Sequence, residues 1–189
     1  MNDTFLAAND SRGPWMQTHS GAHVHLLTPE VDEIRLLDIA HALSRIPRFT
    51  GHTRGHYAYS VAQHSVWVAE TVPGPMALAA LLHDAHEAYL GDIATPVKLA
   101  INMVVRPWFD PVAALKNHIQ CVIHAKFRLP FPLHTKVAEI VHEADIAALE
   151  FERAVALEMT SGIALSPDEA KALFLDCFRW SGGYLHARS

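Results

Sequence analysis

The sequence predicts an all-α fold: one helical bundle of six or seven helices behind an irregular N-terminal arm. Three observations predict it. Apolar residues recur at helical spacing through most of the chain after residue 30, Pro and Gly interrupt that pattern where helices should end, and no alternating run is long enough to propose a sheet. With 189 residues the chain fits one domain and can bury a core without cross-links. The division is 1–30 for the arm and 31–189 for the helical domain.

The arm mixes Gly, Pro, Ser, Thr and His without helical periodicity, and its one extended piece is Ala22–Leu27. The first helix starts behind a Thr28 cap. Pro29 suits its first turn, Glu30, Asp32 and Glu33 suit its positive end, and Ile34, Leu37, Ala40, His41 and Ser44 follow helical spacing until Pro47. A loop, Phe49–Tyr57, leads to a second helix over Tyr59–Thr71, closed by Val72-Pro73-Gly74-Pro75. The third, Pro75–Leu90, is almost continuously apolar and should cross the core, with Gly91 at its end. Thr95-Pro96 starts a short helix. Phe109–Phe127 and His134–Met159 make longer ones, and Ser166-Pro167 caps a last helix to Trp180.

The net charge of -5 gives no broad basic field, which argues against a nucleic-acid polymer as partner. The N-terminus lacks the basic-then-apolar order of a secretory signal, and no apolar run reaches the ~20 residues of a membrane span, so a cytoplasmic protein without membrane attachment is expected. Cys121 and Cys177 have no CxxC spacing and read as reduced core thiols.

Fourteen histidines are present, and histidine is both the commonest metal ligand and the usual acid/base near neutral pH. Position decides which of them matter. His64 shares a face with Val61 and Val68. His83 follows the apolar run with Asp84 beside it and Glu87 one turn on. Asp145 lies beside the stripe Val137, Ile140, Val141, Ala144, Ala148. Three helices thus each direct a possible ligand inward, and a buried aspartate is normally paired or metal-bound. Two imidazoles and two carboxylates suit one divalent transition metal, Mn2+, Co2+, Ni2+, Fe2+ or Zn2+, with Mg2+ as a further candidate.

The order His64, His83-Asp84, Asp145 resembles the HD-domain superfamily of metal-dependent phosphohydrolases. The stretch His83–Lys98 is similar to the HDxxE…GDxxTPVK signature of the HD-type 5′-deoxynucleotidases, and Arg48–Ser65 to their upstream Arg-aromatic pair and first ligand histidine. The resemblance covers about residues 35–155 and implies an HD-domain bundle. It implies His64, His83, Asp84 and Asp145 as metal ligands, and Glu87 and Asp92 as the carboxylates that handle protons. Arg48 and Lys98 would neutralise the phosphate, Thr95 would offer backbone N–H groups to it, and His86 would support or touch it. Phe49 stands where the relatives carry a tryptophan beside the sugar, so deoxyribose is the expected sugar. The segment Pro14–Gly21, with Trp15, Gln17 and Thr18, is similar to small phage and bacterial HD hydrolases, some acting on deoxynucleoside triphosphates. A small nucleotide is therefore the expected partner. A homodimer or higher homo-oligomer is also implied, with the helix end Phe174–Trp180 as its interface.

Two alternatives stand beside this reading. A two-metal HD phosphodiesterase would use extra histidines such as His118 and His124, and a non-enzymatic helical module would only bind the nucleotide. A cyclic-dinucleotide phosphodiesterase needs Gly-Tyr-Pro where this chain has Gly183-Tyr184-Leu185, and the peptidase motif HExxH is absent.

Overall fold

The computed structural model describes residues 9–105, 110–158 and 163–183. The expected helix ends at Phe109 and Met159, the start of the arm and Tyr184 lie outside them.

The arm is not irregular. Strands β1 (Asn9–Asp10), β2 (Gly13–Gln17) and β3 (His23–His25) form an antiparallel meander, with Trp15 opposite His25 and Gln17 opposite His23. The extended piece at Ala22–Leu27 becomes β3, while its partner β2 was not expected. Strands this short carry too few alternating positions to register as a period. Contacts distant in sequence hold them: Trp15 stacks on the His23 ring at 3.8 Å, and the Glu33 carboxylate binds His25 Nδ1 at 2.7 Å and Arg12 at 2.9 Å.

The same Glu33 accounts for a second difference. Its other oxygen accepts from the Glu30 N–H, closing a 3-10 turn at Val31–Glu33, and the chain then extends through Ile34 and Arg35. Helix α1 therefore covers only Leu36–Leu43, and Leu37, expected on the buried stripe, is 59% exposed while Ile34 and Ile39 are fully buried.

The loop after α1 is pinned at its base, where Pro47 bridges Ser60 and Tyr59 O accepts from Arg48 N–H at 2.8 Å. Helix α2 (Val61–Thr71) starts at the Ser60 cap and packs on α1, α3, α7 and α8, which makes it the centre of the domain. Next come α3 (Ala77–Leu81), α4 (Glu87–Leu90), α5 (Thr95–Val105), α6 (Pro111–Lys126, capped by Asp110) and α7 (Thr135–Glu152). A π-helical stretch, Arg153–Glu158, precedes α8 (Pro167–Trp180), whose Ser166 and Glu169 form a capping box.

There are thus eight α-helices among the described residues, because the expected Pro75–Leu90 helix is broken. Side chains take the carbonyls that would have carried it through. Ala80 O accepts from His83 Nδ1–H at 2.7 Å, and Leu82 O accepts from Gln120 Nε2–H at 2.7 Å. The chain unwinds over Leu82–His86, which is where the His-Asp pair sits.

The expected interface segment Phe174–Trp180 is split between the core and the surface, with Trp180 52% exposed. Phe174, Cys177 and Phe178 are buried in the core, and burial pushes the Cys177 thiol up to about 12. Cys121, expected in the core, is exposed on α6. No helix among the described residues is long and apolar enough to cross a membrane.

Candidate metal centre

Three elements deliver the donors. His64 comes from the central helix α2 and is completely buried; His83 and Asp84 come from the unwound turn between α3 and α4; Asp145 comes from α7. One donor atom of each lies within 4.8 Å of all the others. His64 Nε2 stands 3.1 Å from Asp145 Oδ1 and 3.6 Å from Asp84 Oδ2, and His83 Nε2 stands 3.1 Å from Asp84 Oδ2. The two Nε2 atoms face each other at 3.3 Å.

In both rings the far nitrogen is already committed. His64 Nδ1 lies 2.6 Å from Glu152 Oε1, and His83 Nδ1–H donates to Ala80 O. Each Nε2 is thereby turned toward the centre, the arrangement found where a second partner orients a ligating histidine. The donor set fits a single divalent ion at the ordinary 2.0–2.2 Å ligand distances. Its electrostatics agree. Burial alone would keep the imidazoles neutral, yet the neighbouring carboxylates outweigh it, lifting His83 to about 9 and His64 well above its ordinary value. Asp84 and Asp145 are drawn down against the effect of burial, chiefly by His83 and His64 respectively.

The surrounding carboxyls behave differently. Glu87, the first residue of α4, is 3% exposed, and its Oε2 has no hydrogen-bond partner. Burial, then the charges of Asp84 and Asp92, push it up to about 9. Asp92 follows Gly91, whose φ of 77° turns the chain out of α4 through the left-handed region that glycine tolerates. Burial raises Asp92 as well, against the opposing charge of Arg48.

Arg48, expected to neutralise a phosphate through its fork, is held between acids: Nε donates to Glu152 Oε2 at 3.1 Å and a terminal nitrogen lies 3.5 Å from Asp92. Phe49 sits under the guanidinium, 5.9 Å from ring centroid to Cζ, at a strained φ of 54°. Thr95 is exposed at the start of α5, and no hydrogen bond among the described residues ties it or Lys98 to the cluster. Lys98 reaches Asp92 only through its charge.

Three contributors were missed from the sequence. Glu152, completely buried, bridges His64 and Arg48. It lies seven residues, two turns, after Asp145 on the buried side of α7, and an acid at a buried helical position is itself a signal. Lys116 of α6 places Nζ 4.0 Å from Asp84 Oδ1, and Gln120, one turn on, contacts His86. Nothing in the local pattern of α6 marks these two. His118 is exposed and His124 is engaged by Gln120 and Pro130, so neither joins a ligand cluster among the described residues.

No family model matches the sequence. An uncharacterized protein of Rhodobacter capsulatus is 38% identical over 145 residues, covering 73% of this chain and 70% of that protein. The uncharacterized protein YfdR of Escherichia coli is 34% identical over 180 residues, covering 87% and 93% respectively. At such identity and coverage this chain belongs to the same family as these two proteins.

Proposed function

We propose that the chain is a metal-dependent phosphohydrolase of the HD-domain superfamily acting on deoxynucleotides. The observation that carries the reading is the company of the four donors: two carboxyls whose affinity for protons is raised, Glu87 and Asp92, and two cations, Arg48 and Lys116, surround one cluster. A purely structural ion would need none of them.

His64, His83, Asp84 and Asp145 would hold the ion, which when bound supplies Lewis-acid polarisation of the phosphoryl group and acidifies water. The protein's own groups do the rest. Lys116, 40% exposed, is the cation free to meet a phosphate as a point charge. Arg48 keeps N–H donors beyond those facing Glu152 and Asp92, and the two acids fix the plane of its fork. Glu87 moves the proton at Oε2, the oxygen without a partner, and a nearby cation draws its raised pKa back toward the range in which acid-base catalysis works. Asp92, beside Arg48, is the second proton carrier, at the leaving alkoxide or the attacking water. Phe49, stacked with Arg48, is placed to pack on a sugar face and disfavour a 2′-hydroxyl.

The test is a panel of ribo- and deoxynucleotides, as mono- and triphosphates, incubated with protein loaded with Mn2+, Co2+ or Zn2+, with products identified by mass. Release of phosphate or triphosphate, faster from the deoxy member of each pair, is expected. Release from none of them would leave a nucleotide-binding module as the better reading.

A further inference from the structure

One buried chain of hydrogen bonds on α6 lies outside the ligand cluster and ends at His86. Its direction can be read without ambiguity, since it begins and ends at groups with a single role. Pro130 O can only accept, so His124 Nδ1, 2.7 Å away, carries a proton. His124 Nε2 faces Gln120 Nε2 at 3.0 Å and accepts from it. The same Gln120 nitrogen donates to Leu82 O at 2.7 Å, so its amide cannot be reversed. Gln120 Oε1 must then accept, and it takes two bonds from His86, the backbone N–H and Nδ1–H, each at 3.2 Å. Both donors and both lone pairs of the amide are used. His86, Gln120 and His124 are each at most 5% exposed.

The His86 ring therefore bears a proton on Nδ1. The buried Nε2 meets no hydrogen-bond acceptor among the described residues, so a second proton there would be an unpaired buried charge, which leaves Nε2 as the lone pair of a neutral ring. A ring nitrogen of His86 lies within 4.8 Å of carboxylate oxygens of Asp84 and Glu87. Of the two expected roles, supporting the phosphate or touching it, this geometry disfavours direct contact. A lone pair facing a phosphate oxygen sets acceptor against acceptor. Lys116, one turn before Gln120 on the same face of α6, is the group that meets the anion.

We infer that His86 is a substrate-contact residue that accepts a hydrogen bond from an O–H group, and that Gln120 and His124 are positioning residues that hold it in that tautomer. The O–H donor is either a sugar hydroxyl or the attacking water. The contact rests on the phosphohydrolase reading above, whereas the relay does not.

Two measurements test this. Nitrogen-15 spectra of the histidines in the full chain, metal-free and zinc-loaded, should show His86 and His124 protonated on Nδ1 and bare on Nε2. A proton on His86 Nε2 overturns the inference. This spectrum needs no turnover, so it judges the relay even if no nucleotide is hydrolysed. In kinetics, His86→Ala should lower kcat/KM by about tenfold, the scale of one lost hydrogen bond in a closed site. His86→Gln, which keeps an acceptor near the Nε2 position, should recover most of it. A loss confined to KM that vanishes with a 3′-deoxy substrate identifies the sugar hydroxyl, and a loss in kcat shared by both substrates identifies water. An alanine variant as fast as wild type overturns the contact.

Discussion

Loading the metal should expel protons, and the number expelled follows from the cluster. In the metal-free chain His83 sits at about 9 and His64 is raised as well. At pH 7 His83 is two units below its pKa, so about 99% of molecules carry the proton on the nitrogen an ion requires. Displacing it costs about 3 kcal/mol. Each imidazole that must deprotonate makes the apparent affinity climb about tenfold per pH unit, and the two together about a hundredfold, with the His83 share levelling off near pH 9. Folding stability of the metal-free protein runs the other way. A folded pKa above the unfolded 6.5 gives a contribution that is complete below pH 6.5 and is lost as pH rises toward 9. For His83 alone that contribution is at most about 3 kcal/mol. Titration calorimetry in buffers of different ionisation enthalpy counts the protons directly, and nearly two per ion are expected at pH 7. Release of less than about half a proton, or an affinity flat between pH 6.5 and 8.5, would refute the argument.

Glu152→Ala should destabilise the metal-free protein by about 3–5 kcal/mol in chemical denaturation, because it leaves Arg48 and His64 buried without their partner; a loss below about 1 kcal/mol would mean that the bridge contributes little. Glu87→Ala should retain the ion by elemental analysis yet lose turnover by roughly 10², whereas Asp84→Ala should lose both ion and turnover; an active Glu87→Ala would remove that residue from the chemistry. Ser166→Ala, at the cap of α8, should cost about 1 kcal/mol in thermal or urea unfolding without changing metal content.

The helical architecture and the four converging donors were legible because they rest on local rules. Thr95 and Ser166-Pro167 mark helix starts, and the inward positions of His64 and Asp145 follow from helical spacing alone. What escaped depends on partners far along the chain. The break after Leu81 results from Gln120 and His83 competing for backbone carbonyls, and no window around residues 75–90 contains Gln120. The hairpin of the arm depends on Glu33, and Glu33 in turn shortens the first helix. Within the site, the tie between Arg48 and Glu152 was not legible, since that acid lies 104 residues away. Thr95 and Lys98 were chosen through a motif, and no hydrogen bond among the described residues ties either to the cluster.

Helix α7 carries both Asp145, which faces the ion, and Glu152, which aims His64 at the same point. Because the two share one rigid rod, their separation of seven residues acts as a ruler. A single residue inserted between them would swing Glu152 about 100° around the axis and carry it 1.5 Å further along, releasing Arg48 and His64 together while leaving Asp145 in place. The span 145–152 should therefore reject insertions and deletions that the neighbouring loops accept, and a length scan of α7 would find the site's tolerance ending abruptly at those two residues.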